Sequence, residues 1–216
     1  MKGVIFDWDG VVIDSSAQHE RSWELLAAEI NKPLPDGHFT AGFGKKNQEI
    51  IPNLLRWADD PAEIARLGDR KEELYRELVR EQGVRVLPGA RELLMALRAA
   101  CIPRSVGSST PRSNLDAIFA ATGLGELFDA VVCGDDVING KPAPDVFLLA
   151  AKKLGFAPAD CIVIEDAHVG IAAAHAAGMK VLAVATTHPL DELTAADTAV
   201  VSLEDITPER LRQIAG

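Results

Sequence analysis

The stretch from Gly3 to Gly10 constrains this chain more than any other. An apolar run, Gly3-Val4-Ile5-Phe6, passes directly into Asp7-Trp8-Asp9-Gly10. A short β-branched run closed by a glycine reads as a buried strand. The C-terminal ends of such strands are where open α/β sheets hold their ligands. Asp7 and Asp9 are two positions apart, so on extended backbone they share one side while Trp8 points to the other. Two carboxylates held this close concentrate negative charge that a divalent cation would neutralise. Taken alone, the same residues also describe a strand followed by an ordinary Asp-Gly turn.

The pattern then changes twice. After Asp14, Trp23, Leu26, Ala27 and Ile30 recur at helical spacing, with Ser15 or Ser16 in place to cap the helix. Lys32-Pro33-Leu34-Pro35-Asp36-Gly37 breaks it. A loop with Gly42, Gly44, Lys45, Lys46 and Asn47 follows, then apolar positions Ile50, Ile51, Leu54 and Leu55 and a longer helix over about Pro61 to Glu81. From Gly83 onward strands and helices alternate. The strands are Arg104–Val106, Ala130–Cys133, Cys161–Ile164 and Lys180–Val184, and helices start near Pro88, Pro111, Pro144 and Pro208. Repeated strand–helix units imply a parallel sheet flanked by helices. The expected fold is therefore α/β, with a Rossmann-like, doubly wound core of residues 1–14 and 83–216. A helical cap of residues 15–82 is inserted at the C-terminal edge of the first strand, over the site.

A length of 216 residues suits one large domain, or a core plus a smaller one. The net charge of −10, with no basic run to offset it, argues against nucleic acid or an anionic membrane as partner. No apolar stretch approaches the length of a membrane span. Asp7 and Asp9 interrupt any signal-peptide pattern at once. Cys101, Cys133 and Cys161 are isolated and odd in number, which reads as buried, reduced thiols of a cytoplasmic protein. Nothing in the sequence asks for an oligomer, so a monomer is expected.

Several further residues carry chemistry. Glu165-Asp166 follows the apolar strand 161–164 and offers hard oxygen ligands suited to Mg²⁺, although Asp166 would equally cap the helix that follows. Ser108 and Ser109 precede a helix start, where amides and hydroxyls make a phosphate cradle or a simple cap. Lys141, fixed between Gly140 and Pro142, suits a point-charge contact to phosphate. Lys71 interrupts the apolar stripe Ile64, Leu67, Leu74, Leu78. It either snorkels to water or turns inward to meet a phosphate or sugar. His19 lies one helical turn before Trp23, where a histidine usually serves structure.

Four stretches, in order, carry a resemblance: Asp7-Trp8-Asp9-Gly10-Val11-Val12, Val106-Gly107-Ser108-Ser109-Thr110, Gly140-Lys141-Pro142-Ala143-Pro144-Asp145, and Ile162-Val163-Ile164-Glu165-Asp166. Together they are similar to the motifs of the haloacid dehalogenase superfamily, in its β-phosphoglucomutase-like branch of phosphatases and phosphomutases. The resemblance implies that Asp7 is a nucleophile that takes the phosphoryl group and that Asp9 is the general acid and base. Mg²⁺ would be held by Asp7, Asp9 (through its backbone carbonyl), Glu165 and Asp166. Ser108 and Lys141 would stabilise the transferring group. Gly10, Ser109, Thr110 and Arg112, with the cap residues His19, Lys45, Lys46, Asn47 and Lys71, would bind substrate.

Departures matter. The mutases carry an arginine in the cap loop, where this chain has Lys45 and Lys46, which keep the charge and lose the bidentate fork. Trp8 is bulkier than the usual residue, and Val11 replaces a frequent threonine. The expected function is a Mg²⁺-dependent phosphatase acting on a small phosphorylated metabolite, such as a sugar phosphate. The alternative is a β-phosphoglucomutase-like phosphohexomutase, which His19 and Lys71 favour. A dehalogenase would leave Asp9 and Glu165-Asp166 without a task, and a non-catalytic binding protein would leave every expected catalytic group idle. An acidic protein with a phosphate substrate must also reverse its field locally, through lysines and a metal.

Overall fold

The computed structural model describes residues 1–42 and 45–216, so the loop glycine expected at Gly44 lies outside the described residues. The strands are β1 (Gly3–Phe6), β2 (Ile13–Asp14), β3 (Arg85–Val86), β4 (Arg104–Gly107), β5 (Ala130–Val132), β6 (Cys161–Glu165), β7 (Lys180–Val184) and β8 (Thr198–Val200). The chain divides into two compact units, one of Met1–Asp14 with Val84–Gly216 and one of Ser15–Gly83.

In the first unit six strands form a parallel sheet in the order β5-β4-β1-β6-β7-β8. β1 and β6 are buried along their whole length. That is why they read as unbroken apolar runs rather than as alternating ones. Ile5, Val163 and Val181 from three neighbouring strands pack with Phe147 and Ile171 from the covering helices in one core. β2 and β3 make a separate antiparallel ladder, Ile13 opposite Val86 and Asp14 opposite Arg85, where the chain leaves this unit and returns. Strands of two residues are too short to show a period, and the sequence did not reveal them. β8, half-buried at the sheet edge, was missed for a similar reason: Thr198-Ala199-Val200 lacks a strong apolar signal.

The second unit is helical: α1 (Ser16–Glu29), α2 (His38–Gly42), α3 (Asn47–Glu49), a π-helical turn over Ile50–Leu55, and α4 (Pro61–Gln82). Its core gathers Trp23, Leu26, Ile51, Trp57, Leu67 and Leu74. α4 starts sharply because Asp60 accepts a hydrogen bond from the Glu63 amide at 2.9 Å and Pro61 fills the first position. It ends where Gly83 takes a φ of +73°, open to glycine and strained for other residues. Ser15 occupies the cap position of α1 but its side chain makes no capping bond.

The remaining helices belong to the first unit: α5 (Ala90–Ala99), α6 (Arg112–Thr122), α7 (Asp145–Leu154), α8 (His168–Ala176) and α9 (Pro208–Ala215). One sequence expectation needs correction. Cys133 and Cys161 are buried, but Cys101 is exposed. It stands just past α5 at a φ of +53°, in the turn that leads to β4, so the apolar run preceding it does not carry it inward. Among the described residues no helix is long and apolar enough to cross a membrane.

Candidate active site

Counted in chain order without the two-stranded ladder, the sheet runs three-two-one-four-five-six, so the order reverses between β1 and β6. The crevice outside the C-terminal ends at such a reversal is where an open α/β sheet accepts a ligand. Asp7 is the first residue past β1, Glu165 is the last of β6 and Asp166 the next. Phe6 pairs with Ile164, so the register delivers the carboxylates to one edge together. One oxygen from each of Asp7, Glu165 and Asp166 lies within 4.8 Å of the others, and all three residues are buried.

Trp8 explains how the turn is held. Its ring is fully buried and packs edge-on against Phe119 at 5.1 Å and Phe128 at 5.9 Å. The bulky residue between the aspartates is thus an anchor in the aromatic core, which commits Asp7 and Asp9 to the opposite side. Gly10 has a φ of +81°, and a Cβ there would overlap the Asp166 carboxylate. The β1 turn and the end of β6 approach closely only because this position is glycine.

Among the described residues, Lys141 supplies the one cation bonded to this cluster. Its ammonium donates to Asp7 Oδ1 and Glu165 Oε1, each at 2.6 Å, with its side chain only 7% exposed. It also lies 4.7 Å from the centre of the Phe147 ring. Burial works against that charge, but Asp7 and Glu165 outweigh it and hold the pKa well above the ordinary lysine value. Asp7 is pushed up to about 7, chiefly by burial, against the attraction of Lys141 and with added repulsion from Glu165 and Asp9. Asp166 is raised well above its ordinary value by burial and by the neighbouring carboxylates.

Glu165 has a second task. Its Oε2 accepts from the amides of Asp166 at 2.7 Å and Ala167 at 2.8 Å. A Cβ on Gly170 would overlap the same carboxylate, so α8 also needs a glycine to admit it. The cap residue of α8 is Ala167, without a side-chain cap, so Asp166 does not serve as the helix cap that its sequence position allowed. Three buried carboxylates against one ammonium leave the cluster short of positive charge. A donor set of hard oxygens in that condition fits a divalent cation.

The β4 loop is tied to the β1 turn. Ser108 is buried, and its Oγ accepts from the Thr110 amide at 3.0 Å. Thr110 Oγ1 in turn donates to Asp9 Oδ2 at 2.5 Å. Ser109 is exposed. Arg112 is turned elsewhere: its guanidinium pairs with Asp136 at 3.0 Å, and its amide donates to Asp135. Sequence reasoning missed Thr186 and Thr187. Thr187 Oγ1 donates to Asp166 Oδ2, and Thr186 Oγ1 donates to the Gly10 carbonyl. Both sit past β7, and only the sheet order brings them to the turn, so no local signal could have found them.

The helical unit has its own polar cluster. Lys71 is buried, so it does not snorkel to water. Its Nζ lies 2.7 Å from His19 Nδ1 and 3.0 Å from Glu72 Oε1, and 5.5 Å from the ring centres of both Trp23 and Tyr75. His19 stacks on Tyr75 at 4.0 Å. The lysine has only protons to donate, so His19 Nδ1 is the acceptor in that contact. Asn47 donates to Glu72 at 2.8 Å and so joins the same network, while Lys45 and Lys46 are exposed.

Comparison with known proteins gives the family. The profile of haloacid dehalogenase-like hydrolases matches residues 1–178. The chain is 36% identical over 216 residues to the chloroplastic 5-amino-6-(5-phospho-D-ribitylamino)uracil phosphatase of Arabidopsis thaliana, covering 99% of this chain and 57% of that protein. It is 32% identical over 219 residues to the β-phosphoglucomutase of Bacillus subtilis, covering 99% of this chain and 95% of the other. The crystal structure of a HAD hydrolase, family IA, variant 3, from Entamoeba histolytica matches with a TM-score of 0.90 at 29% identity, covering 100% of this chain and 99% of that one. A profile spanning most of the sequence and a near-full-length relative above 30% identity point the same way: the chain belongs to the haloacid dehalogenase-like hydrolases.

Proposed function

We propose that the protein is a Mg²⁺-dependent phosphatase that hydrolyses a small phosphorylated metabolite, a sugar phosphate being the favoured class, through a phosphoryl group carried on Asp7. As a member of this hydrolase family it is an enzyme, and its phosphatase relatives support the hydrolysis of phosphoric monoesters as its reaction. The observation that carries the reading is the meeting of Asp7, Glu165, Asp166 and Lys141 at the reversal of strand order.

The chemistry follows from what these residues can do. Phosphoryl transfer asks mainly for positioning and neutralisation of charge. Asp7 attacks phosphorus through a carboxylate oxygen as the bond to the leaving oxygen breaks. The electron pair goes to that oxygen, which takes a proton from Asp9. Water then attacks the acyl phosphate, gives its proton to Asp9, and releases phosphate with Asp7 restored. Lys141 holds Asp7 in place and offsets negative charge on the transferring group. Ser108, whose oxygen accepts from Thr110, keeps its own proton to donate to a phosphoryl oxygen. Thr110 fixes the Asp9 carboxylate. Asp7, Asp166, Glu165 and the Asp9 backbone would hold Mg²⁺, which when bound supplies positive charge for the phosphoryl oxygens. Residues 15–83 act in this reading as the cap, with Lys71, His19 and Asn47 contributing to substrate recognition.

The second reading, a phosphohexomutase, uses the same first step and lets a sugar hydroxyl replace water. The Lys71–His19 contact favours it, as does the likeness to a β-phosphoglucomutase; the absence of an arginine beside Lys45 and Lys46 favours hydrolysis. Phosphorus NMR separates them. The protein is incubated with Mg²⁺, β-glucose 1-phosphate and a trace of glucose 1,6-bisphosphate. Release of inorganic phosphate supports the phosphatase. Conversion to glucose 6-phosphate without release rejects hydrolysis in favour of the mutase.

A further inference from the structure

A second cluster of ligating side chains shares no residue with the carboxylate cluster. It joins the start of α8 to the segment after β7. His168 is the first residue of α8, His188 lies two residues before a short turn of 3-10 helix at Leu190–Glu192, and Glu192 is the last residue of that turn. One ligating atom from each of the three lies within 4.8 Å of the others. The imidazole rings are 4.4 Å apart, centre to centre, and tilted by 45° rather than stacked flat. His188 Nδ1 is 3.8 Å from Glu192 Oε2. The hydrolytic steps assign no task to any of these side chains.

We propose that His168, His188 and Glu192 form a binding site for a borderline transition-metal ion, with Zn²⁺ the best match, on the catalytic unit. The donor set decides the class. Imidazole nitrogen suits zinc, copper, nickel and cobalt, whereas Mg²⁺ takes oxygen. Two histidines and a glutamate leave room for water, the arrangement of a zinc site with an open position. The segment is already pinned at both ends, so ordering it costs little. Thr186 and Thr187 donate to Gly10 and Asp166, the Ala185 amide donates to Val200, and Leu193 is buried in the core. A metal here would staple the α8 start to that segment. Because Thr187 holds Asp166, the staple lies two bonded contacts from the carboxylate cluster.

The test is equilibrium dialysis of the full chain against Zn²⁺ in a large excess of Mg²⁺, with Co²⁺ as a spectroscopic stand-in. The site predicts one tightly retained Zn²⁺ per chain, a visible ligand-field band with Co²⁺, and a rise in melting temperature on adding Zn²⁺. Each of His168→Ala, His188→Ala and Glu192→Gln should weaken Zn²⁺ at least tenfold. Asp166→Asn, which changes the carboxylate cluster, should keep the second site. All three ligands carry exposed surface, and Glu192→Gln preserves shape, so a folded variant is available even if a histidine variant proves unstable. Two results would overturn the proposal: no Zn²⁺ retained against Mg²⁺, or Zn²⁺ binding lost in Asp166→Asn and kept in Glu192→Gln.

Discussion

Replacing Lys141 with methionine keeps most of the side-chain volume and removes the ammonium. In the parent, Nζ is 2.6 Å from both Asp7 and Glu165, and Glu165 is 1% exposed. The variant leaves three buried carboxylates with no counter-charge from Lys141. Breaking a buried pair from one side costs about 3–5 kcal/mol. Part of that is relieved by proton uptake, since Asp7 in the parent already sits at about 7, and roughly 3 kcal/mol remains. At about 2–4 °C per kcal/mol for a domain of this size, the melting temperature should fall by roughly 6–12 °C without divalent cation. The sign with pH is fixed. A carboxyl whose folded pKa is raised contributes fully below its unfolded value and loses stability as pH rises through the folded value. Parent and variant share that loss up to the parent's Asp7 value of about 7, so the deficit of the variant should widen only as pH rises above about 7, where Asp7 ionises beside Lys141 in the parent and stays protonated in the variant. Mg²⁺ should narrow it, because the cation takes over the neutralising role. Calorimetry in chelator and in Mg²⁺, below and above that pH, checks each part. A variant that melts with the parent in chelator at every pH would refute the idea that Lys141 balances these charges.

Other perturbations test separate parts of the account. Gly10→Ala should cut kcat at least tenfold and raise the Mg²⁺ needed for half-maximal rate, because its Cβ displaces Asp166; a metal titration matching the parent would contradict this. Lys71→Met should raise KM for a sugar phosphate several-fold and also lower stability, because it leaves the half-buried Glu72 without its ammonium; lost stability with unchanged KM would assign Lys71 to packing alone. Asp197 gives the acid-side test: burial would raise its pKa, but hydrogen bonds from Lys180, the Val181 amide and His175 outweigh that and bring it to about 2. A depressed carboxyl contributes above its unfolded pKa and is lost as pH falls through its folded one, so Asp197→Asn, at a solvent-screened site, should cost about 0.5–1 kcal/mol at neutral pH and progressively less as pH falls toward 2. Urea denaturation at both ends of that window reads it, and a deficit that persists in acid would reject the ion-pair explanation.

Much of the fold was legible because burial leaves a mark on composition. β1 and β6 are inaccessible on both faces and had to be apolar throughout. The candidate site beside them was legible because carboxylates interrupt those runs at the strand ends. What stayed hidden was set by distance in sequence or by weak signal. Thr187 meets Asp166 only through the sheet order. The pairing of Arg112 with Asp136 depends on the turn after β5, which local spacing does not encode. Lys71 could be read two ways from its stripe, and the packing of α1 along α4 removed the solvent-facing one. Cys101 looked buried from its neighbours and is exposed because the chain turns there.

The central claim is that Asp7 carries the phosphoryl group. The most direct measurement is a rapid acid quench of the enzyme during turnover of a sugar phosphate, followed by peptide mapping by mass spectrometry. The account predicts one phosphoryl group per chain on the peptide that holds Asp7, localised to that residue, labile to hydroxylamine, and absent in Asp7→Asn. Turnover with no covalent phosphate on that peptide, or with the label on another residue, would contradict it.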